Sequence, residues 1–256
     1  MSVKIENDKL DKFNFLTDEE KKSYFGEWLS DVSTKEKLKK LYVESDPFPY
    51  VIIENFLNIN LANEISELFP EDINEYHHYN NPIEVKYTYD NISKLDPKLQ
   101  SVFYILSTDY ISKYFSDITN IKLEVDPYLN GAGLHKMPRN GRLGIHLDYE
   151  KHPILNKQRR LNIILYLNKE WKEEWNGDSE LWNEDYSECK VRSYPVFNRA
   201  IIFRTDEISW HGVSEKILCP EGMYRQSIAY YYLSDLEHKS SSSKIGIDHC
   251  CLLNLL

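Results

Sequence analysis

The sequence of 256 residues has few cysteines, no long apolar run and no excess of basic charge. Its four cysteines are Cys189, Cys219 and the adjacent pair Cys250 and Cys251, with no Cys-x-x-Cys spacing. Adjacent cysteines rarely form a disulfide framework, so a reducing compartment is favoured. No apolar run approaches the ~18 residues of a membrane span, and the N-terminus lacks a signal-peptide core. We therefore expect a cytoplasmic protein that does not enter a membrane.

Acidic residues outnumber basic ones, which argues against nucleic acid as a partner. The formal net charge is -10, from 31 Lys+Arg against 41 Asp+Glu. Binding to a phosphate backbone needs a basic face, which this balance disfavours. The His-Glu-x-x-His, Gly-x-x-x-x-Gly-Lys and Gly-x-Ser-x-Gly motifs are also absent, so zinc peptidase, P-loop and nucleophile-elbow chemistry are not indicated.

The first 115 residues are mostly helix-like. Thr17 and Glu20 form a capping box ahead of apolar residues at helical spacing, which predicts a helix through Leu29. Apolar periodicity predicts further helices over 60–69 and 99–115. The remaining predictions here are a short strand over 50–53, and a loop over 71–95 with a hairpin arm as the alternative.

From Ile121 the pattern changes to short period-two segments separated by Gly, Pro and Asn. Many short strands indicate a β-sandwich or jelly roll, and helices followed by strands indicate an α+β fold. We predict an N-terminal helical extension (1–45), a main domain (46–235, with its β core at about 121–234) and a Ser-rich link with an apolar tail (236–256). The predicted strands are 121–128, 142–148, 160–168, 179–183, 189–194, 199–204, 208–213 and 225–234.

His146 and Asp148 are metal-ligand side chains separated by one residue. On a strand, residues i and i+2 point the same way, so both can reach one metal ion. His211, in Ser-Trp-His-Gly, would complete a set of two histidines and one carboxylate. That set is the facial triad of non-haem Fe(II) oxygenases, although three such ligands also suit a zinc hydrolase.

Arg225 is the candidate for binding an anion beside that metal. It shares one face of a predicted strand with Ser227 and Ala229. A buried guanidinium needs an anion and binds a carboxylate in bidentate fashion. A dicarboxylate that chelates the metal at one end would need such a group at the other, and an internal Asp or Glu is the alternative partner.

Residues 126–234 resemble the 2-oxoglutarate and Fe(II)-dependent oxygenases of the prolyl 4-hydroxylase type. Residues 47–57 resemble the opening segment of that family, so the resemblance covers about 47–234. It is specific because the blocks occur in order and at matching spacing. These blocks are Asp-Pro-Tyr-Leu (126–129), Gly-Ala-Gly-Leu-His (131–135), Leu-Gly-Ile-His-Leu-Asp (143–148), the segment from Arg159 to Trp171, Glu-Leu-Trp (180–182), Asn-Arg-Ala-Ile-Ile-Phe (198–203), Trp-His-Gly (210–212) and Arg-Gln-Ser (225–227).

The resemblance implies a double-stranded β-helix, a jelly-roll core with supporting N-terminal helices. It also implies Fe(II), 2-oxoglutarate and O2, with ascorbate in support. The implied site residues fall into three groups. They are the metal ligands His146, Asp148 and His211, the co-substrate residues Arg225, Tyr166, Ser227 and His135, and the candidate substrate contacts Arg159, Tyr231 and Trp182.

The implied reaction hydroxylates a prolyl residue in a peptide or protein and releases succinate and CO2. A hydroxylase of a free amino acid and a catalytically silent metal-binding jelly roll are the alternatives, and the acidic charge disfavours a nucleic-acid demethylase.

The tyrosine-rich segment 76–89 is the candidate for a mobile lid. Two features depart from the family: Ser179 stands where an apolar wall is expected, and the interval from His211 to Arg225 is long.

Overall fold

A computed structural model describes residues 4–236, in which α-helices pack against an antiparallel β-sheet. The α-helices are α1 (Asn7–Asn14), α2 (Asp18–Lys22), α3 (Val32–Glu44), α4 (Ile59–Ser66), α5 (Pro97–Leu106) and α6 (Asp109–Thr119). Apart from Leu236, the predicted link and tail lie outside the described residues. Within the described part of the chain, none of the helices combines the length and apolarity needed to cross a membrane.

The predicted capping box is confirmed at α2, but the helix beyond it is shorter than expected. Thr17 Oγ1 accepts from the Glu20 backbone N–H at 3.2 Å, and Glu20 Oε2 accepts from the Thr17 N–H at 2.7 Å. The helix then ends at Lys22, and Trp28 lies in a separate 3₁₀ turn (Glu27–Leu29). The prediction of one helix through Leu29 is wrong. The apolar residues after Lys22 make tertiary contacts instead of continuing the helix, since Phe25 forms a β-bridge with Leu57.

The segment 99–115 also forms two helices where the apolar stripe predicts one. Helix α5 ends at Leu106 and α6 starts at Asp109. Between them, Ser107 Oγ donates to the Phe103 carbonyl and Thr108 Oγ1 donates to the Ile105 carbonyl, both at 2.7 Å. Hydroxyl side chains that occupy helix carbonyls in this way end or bend helices. The apolar period continues across the break because both helices pack on the same sheet.

The described residues contain twelve strands in one sheet, nearly closed on itself. The sheet order is β1-β10-β7-β12-β5-β3-β6-β11-β8-β9, with β2 beside β3 and β4 beside β12, and all pairings are antiparallel. This is a double-stranded β-helix in an α+β fold, as predicted. The strands are β1 (Tyr50–Ile53), β2 (His77–Asn81), β3 (Glu84–Tyr89), β4 (Glu124–Val125), β5 (Gly133–Met137), β6 (Arg142–His146), β7 (Lys157–Tyr166), β8 (Ser179–Trp182), β9 (Cys189–Ser193), β10 (Ala200–Arg204), β11 (His211–Val213) and β12 (Arg225–Asp235).

Two predictions over the strands fail for local reasons. The strand expected over 121–128 shrinks to β4, because the Asp126 carboxylate accepts from the Tyr128 and Asn130 backbone N–H groups and forms a turn. The hairpin arm expected within 71–95 is confirmed as the β2–β3 hairpin, but β3 pairs with β2 on one edge and with β5 and β6 on the other. The expectation of a mobile lid therefore does not hold for β3, which is an integral strand.

The apolar core lies between the helices and the outer face of β7 and β12. It joins residues of the N-terminal helices to Tyr230 and Tyr232 of β12. Tyr232 Oη donates to the Leu106 carbonyl at 2.6 Å, and Tyr230 Oη lies 2.9 Å from Ser107 Oγ. The helices thus fix one face of β12, while its other face carries the residues described next.

Candidate active site

Three side chains that can bind a metal converge where β6 ends and β11 begins. His211 lies directly opposite His146 in the β6–β11 pairing, and Asp148 follows His146 by two residues. One ligand atom from each residue lies within 4.8 Å of the others. Asp148 Oδ1 is 4.0 Å from His146 Nε2, and Asp148 Oδ2 is 3.7 Å from His211 Nε2. The structure therefore brings together the three residues that the sequence singles out as ligands.

Backbone carbonyls fix the orientation of both imidazoles. His146 Nδ1 donates to the Gly144 carbonyl at 2.9 Å, and His211 Nδ1 donates to the Ser209 carbonyl at 2.8 Å. A carbonyl oxygen only accepts, so each Nδ1 carries the proton and each Nε2 keeps its lone pair facing Asp148. Metal-binding histidines use their second nitrogen in this way. These donors fit a divalent iron.

The protonation states of His146 and Asp148 also suit a metal. Burial, together with the neighbouring His211, lowers the pKa of His146 to about 3. Burial alone would raise the pKa of Asp148, but His211 and Arg159 outweigh it and the pKa is lowered. A neutral imidazole and an ionised carboxylate are the forms that coordinate.

A cavity of about 600 Å³ opens beside the three ligands. Alternate residues of β3 (Glu84, Lys86, Thr88) and of β12 (Arg225, Ser227, Ala229, Tyr231) face it, as period-two geometry requires. The lining is polar and aromatic on β3 and β12, and apolar side chains such as Ile164 of β7 and Leu181 of β8 line other parts of it.

Arg225 is buried at the inner end of this cavity and contacts only neutral acceptors among the described residues. Its Nε donates to the Gly177 carbonyl at 2.6 Å, its Nη2 to Ser179 Oγ at 3.0 Å and its Nη1 to Ser227 Oγ at 3.4 Å. No carboxylate of residues 4–236 forms a salt bridge with it. A buried guanidinium without an anion has the chemistry to bind a carboxylate.

The other expected co-substrate residues take different positions. His135 lines the cavity opposite Ser227 in the β5–β12 pairing, and burial lowers its pKa well below the usual value. Tyr166 is fully buried behind the wall, where its ring packs 5.0 Å from the Arg225 guanidinium carbon. Its hydroxyl donates to the Ser193 carbonyl at 3.1 Å. Tyr166 thus supports Arg225 and is not among the cavity-lining residues.

Arg159 lies between two aromatic rings at the opposite side of the cavity. Its guanidinium carbon is 3.9 Å from the Tyr149 ring centroid and 4.0 Å from that of Tyr231. Arg159 Nη1 is 3.7 Å from Asp148 Oδ1, and its Nη2 donates to the Asn130 carbonyl at 2.6 Å. This arrangement joins the Asp148 carboxylate to the aromatic residues that line this side of the cavity.

Trp182 is not among the cavity-lining residues. Its indole N–H donates to Glu180 Oε2 at 3.1 Å, and its ring packs with Ile145, Leu147 and Trp210. Sequence reasoning missed other lining residues, namely Glu84, Lys86, Asn130 and Tyr149. The alternation Glu84, Lys86, Thr88 is a period-two signal that would have placed the first two on one face had 84–89 been predicted as a strand. Ser179, expected to disturb the co-substrate wall, supplies a hydroxyl to Arg225.

Comparison with known proteins matches residues 132–233 to the family model of the 2OG-Fe(II) oxygenase superfamily. No curated protein matches the chain. A Trichoplax adhaerens prolyl hydroxylase, solved in complex with a hypoxia inducible factor oxygen degradation domain peptide fragment, is similar over 83% of this chain and 96% of its own, at 15% identity and a TM-score of 0.56. A Pseudomonas putida prolyl-4-hydroxylase is similar over 77% of this chain and 98% of its own, at 17% identity and a TM-score of 0.57. A Burkholderia pseudomallei oxidoreductase of the 2OG-Fe(II) oxygenase family is similar over 77% and 89%, at 14% identity and a TM-score of 0.51.

Two histidines and one carboxylate at the mouth of a double-stranded β-helix are the ligand set of the non-haem iron oxygenases. The match over the β core refines this class. Residues 132–233 match the 2OG-Fe(II) oxygenase superfamily, and the fold is similar to that of the two prolyl hydroxylases.

Proposed function

We propose that this dioxygenase hydroxylates a prolyl residue of a peptide or protein, with release of succinate and CO2. One observation carries the proposal: a single cavity joins the triad of His146, Asp148 and His211 to the buried Arg225. A molecule with a chelating group at one end and a carboxylate at the other matches that arrangement, and 2-oxoglutarate is such a molecule.

In this proposal His146, Asp148 and His211 hold the iron. Asn162 Nδ2 donates to Asp148 Oδ2 at 3.3 Å, and Arg159 approaches the other oxygen, so the carboxylate is held from two sides. Such outer contacts orient metal ligands and tune their affinity. The carbonyl-bound imidazoles need no rotation to present Nε2.

The distal carboxylate of 2-oxoglutarate would bind Arg225. The hydroxyls of Ser179 and Ser227 already hold the guanidinium and are free to donate toward a carboxylate in the cavity. His135 faces the same space and would contact the co-substrate from β5. Tyr166 acts through Arg225, because its ring lies against the guanidinium outside the cavity.

The part of the cavity beyond the co-substrate would receive the substrate. Tyr231, Tyr149 and Arg159 form one side of it and the β3 face forms the other. A pyrrolidine ring packs well against aromatic faces, and the similar fold of two prolyl hydroxylases supports a prolyl substrate. The peptide named with the Trichoplax enzyme supports a peptide over a free amino acid.

Bound iron and 2-oxoglutarate together supply the oxidising chemistry, which inserts one atom of O2 into a C–H bond. The chain itself binds, orients and shields the reactants. Ascorbate belongs to the proposal as a supporting reductant. A reducing, cytoplasmic setting also belongs to it.

The test is an assay with Fe(II), 2-oxoglutarate and ascorbate, using prolyl peptides and free proline as substrates. We expect succinate release coupled to a mass gain of one oxygen atom on a prolyl peptide. If only free proline gains an oxygen atom, the protein is a hydroxylase of a free amino acid and the peptide assignment is wrong. No succinate with any substrate would favour the silent metal-binding module.

A histidine pair provides the control for the metal assignment. His146→Ala should lose more than about 100-fold in Fe(II) affinity and all coupled turnover, because a ligand is removed. His78→Ala removes an exposed imidazole that stacks on Tyr87 outside the cavity, and it should behave as wild type. Equal Fe(II) content in the two variants would contradict the ligand set.

A further inference from the structure

An ion pair lies inside the cavity wall, and neither the metal site nor the Arg225 site uses it. Lys86 Nζ is 2.9 Å from Glu84 Oε1, and each side chain is only 15% exposed. Both residues line the cavity, and the Lys86 ammonium also lies 5.3 Å from the Tyr79 ring centroid. Burying two charges together gives little net stability, since desolvation offsets their attraction. Stability alone therefore does not account for this pair.

Lys86 and Glu84 lie in the same cavity as the three candidate metal ligands and Arg225. Along β3, Lys86 lies between Glu84, which is on the side that pairs with Leu143 of β6, and Thr88, which pairs with His135 of β5. A substrate bound in this cavity therefore shares it with the Lys86 ammonium.

The Lys86 ammonium has donors to spare. An ammonium carries three N–H groups, and Glu84 is its one ionic partner among residues 4–236. An incoming anion can therefore add to the pair or replace Glu84 without leaving the lysine unpaired. A neutral acceptor at the same place would gain a hydrogen bond without the attraction of a second charge, and a cationic group would be repelled by the ammonium.

We propose that Lys86 binds a carboxylate of the substrate, carried close to the carbon that is hydroxylated, with Glu84 holding the ammonium in position for it. The inference rests on the proposed function and narrows its substrate class. The carboxylate could belong to an acidic residue beside the proline, to a C-terminal proline or to free proline. The chemistry is the same, and the substrates of the test separate these sources.

The experiment compares three matched substrate pairs: a prolyl peptide with Asp or Asn beside the proline, a peptide ending in proline as acid or amide, and proline or prolinamide. For at least one pair, the wild type should show a KM lower by about tenfold or more for the carboxylate member, the effect of a charge-assisted hydrogen bond. Lys86→Met should bring that ratio close to one. The exchange Glu84→Lys with Lys86→Glu keeps the pair and should shift the preference to a peptide with Lys in place of Asp.

Lys190→Met is the matched control. Lys190 also pairs with a glutamate two residues away, Glu188, at 2.5 Å, but on β9 and outside the cavity wall. Lys190→Met should keep the wild-type ratio of KM values within each substrate pair. Substrate affinity is also measured without turnover, with Mn(II) and an unreactive amide analogue of 2-oxoglutarate bound, and it should show the same ratios. If Lys86→Met does not fold, Lys86→Gln takes its place in each comparison.

Two negative outcomes are distinct. If the wild type releases succinate and hydroxylates a substrate, but its ratio in every pair equals that of the Lys86 variant, the carboxylate inference is wrong and the dioxygenase function stands. If no substrate yields succinate or a gain of oxygen, the proposed function fails first and the inference falls with it.

Discussion

At the scale of the residue, Arg225 is the proposed binding partner of the 2-oxoglutarate carboxylate. Its charge is buried, and its described partners are a carbonyl, two hydroxyls, the Met137 sulfur and an aromatic ring, none of which is an anion. Truncating one partner of a buried charge pair costs about 2–5 kcal/mol. We predict that Arg225→Gln raises the dissociation constant of 2-oxoglutarate by about 100-fold or more. Calorimetric titration with Mn(II) present measures it.

The Fe(II) affinity of Arg225→Gln should change far less, because Arg225 contacts none of the three metal ligands. Arg139→Gln is the control, since Arg139 also donates to backbone carbonyls, those of Leu218 and Cys219, but lies outside the cavity. Equal losses of 2-oxoglutarate and Fe(II) affinity in Arg225→Gln would contradict the assignment.

His135 gives the metal-free protein a predictable response to acid. Burial, with help from Lys86 and Arg225, holds its folded pKa well below the usual value of 6.5. Below that pH the unfolded chain binds a proton that the folded chain does not, so the free energy of unfolding falls as the pH falls. The loss is about 1.4 kcal/mol for each pH unit over which only unfolded His135 is protonated. Above pH 6.5 the contribution is fully present.

We therefore predict that His135→Gln loses less stability than the wild type between pH 7 and pH 5. Urea unfolding of the metal-free proteins at the two pH values measures the difference. His78→Gln removes an exposed imidazole and should keep the wild-type slope. An identical slope in His135→Gln would show that His135 takes up a proton in the folded state.

At the scale of elements, the break between α5 and α6 connects the helices to the strand that carries Arg225. Ser107 Oγ donates to the Phe103 carbonyl and accepts from Tyr230 Oη, which is buried in β12. We predict that Ser107→Ala lowers the free energy of unfolding by about 1–3 kcal/mol, because the Tyr230 hydroxyl loses its partner. Ser101→Ala, on the same helix, removes a hydroxyl bonded only to the Lys98 carbonyl and should cost under about 0.5 kcal/mol. Similar losses in the two variants in urea unfolding would argue against the role of Tyr230.

The elements that sequence reasoning placed well are those whose pattern is local. β1 alternates between half-buried and buried residues, and β10 is an almost continuous apolar run. Turn residues flank both, so their bounds were predicted to within a residue. The break at Ser107 was missed because a serine within an apolar stripe gives no sign of the tyrosine it will bond. β5 was missed as a strand because it is buried on both faces and shows no alternation.

The site residues can also be separated into those that a local pattern predicts and those whose position depends on packing. His146 and Asp148 follow from strand geometry alone, and motif order added His211 and Arg225. The alternation of Glu84, Lys86 and Thr88 indicates that they share one face. That this face lines the cavity depends on the pairing of β3 with β5 and β6, which lie far along the chain: Tyr89 pairs with Leu134 and Glu84 with Leu143. The position of Tyr166 behind Arg225 likewise depends on the packing of β7 against β9, which the sequence of neither strand reveals.

At the scale of the whole molecule, the N-terminal helices and the β core share one apolar cluster. Trp28 stacks on Phe56 with ring centroids 5.2 Å apart, and its indole donates to the Phe56 carbonyl at 2.7 Å. From α6, Tyr114 Oη donates to the Trp28 carbonyl at 3.1 Å. The extension predicted over 1–45 is thus packed into the domain that follows it.

Deleting residues 1–45 should therefore abolish cooperative folding of the remainder. Loss of a buried tryptophan alone costs about 3–5 kcal/mol, against a total stability of about 5–15 kcal/mol for a typical domain. The deletion also removes Phe25, Leu29, Leu38 and Tyr42 from the core. We predict that the chain from Asp46 onward shows no near-UV circular dichroism and no sigmoidal urea transition. Phe15→Ala, at an aromatic 85% exposed within the same extension, should unfold as the wild type does. A cooperative transition in the deletion variant at the wild-type midpoint would instead show that the helices are an independent layer, and that the boundary near residue 45 divides two units of stability.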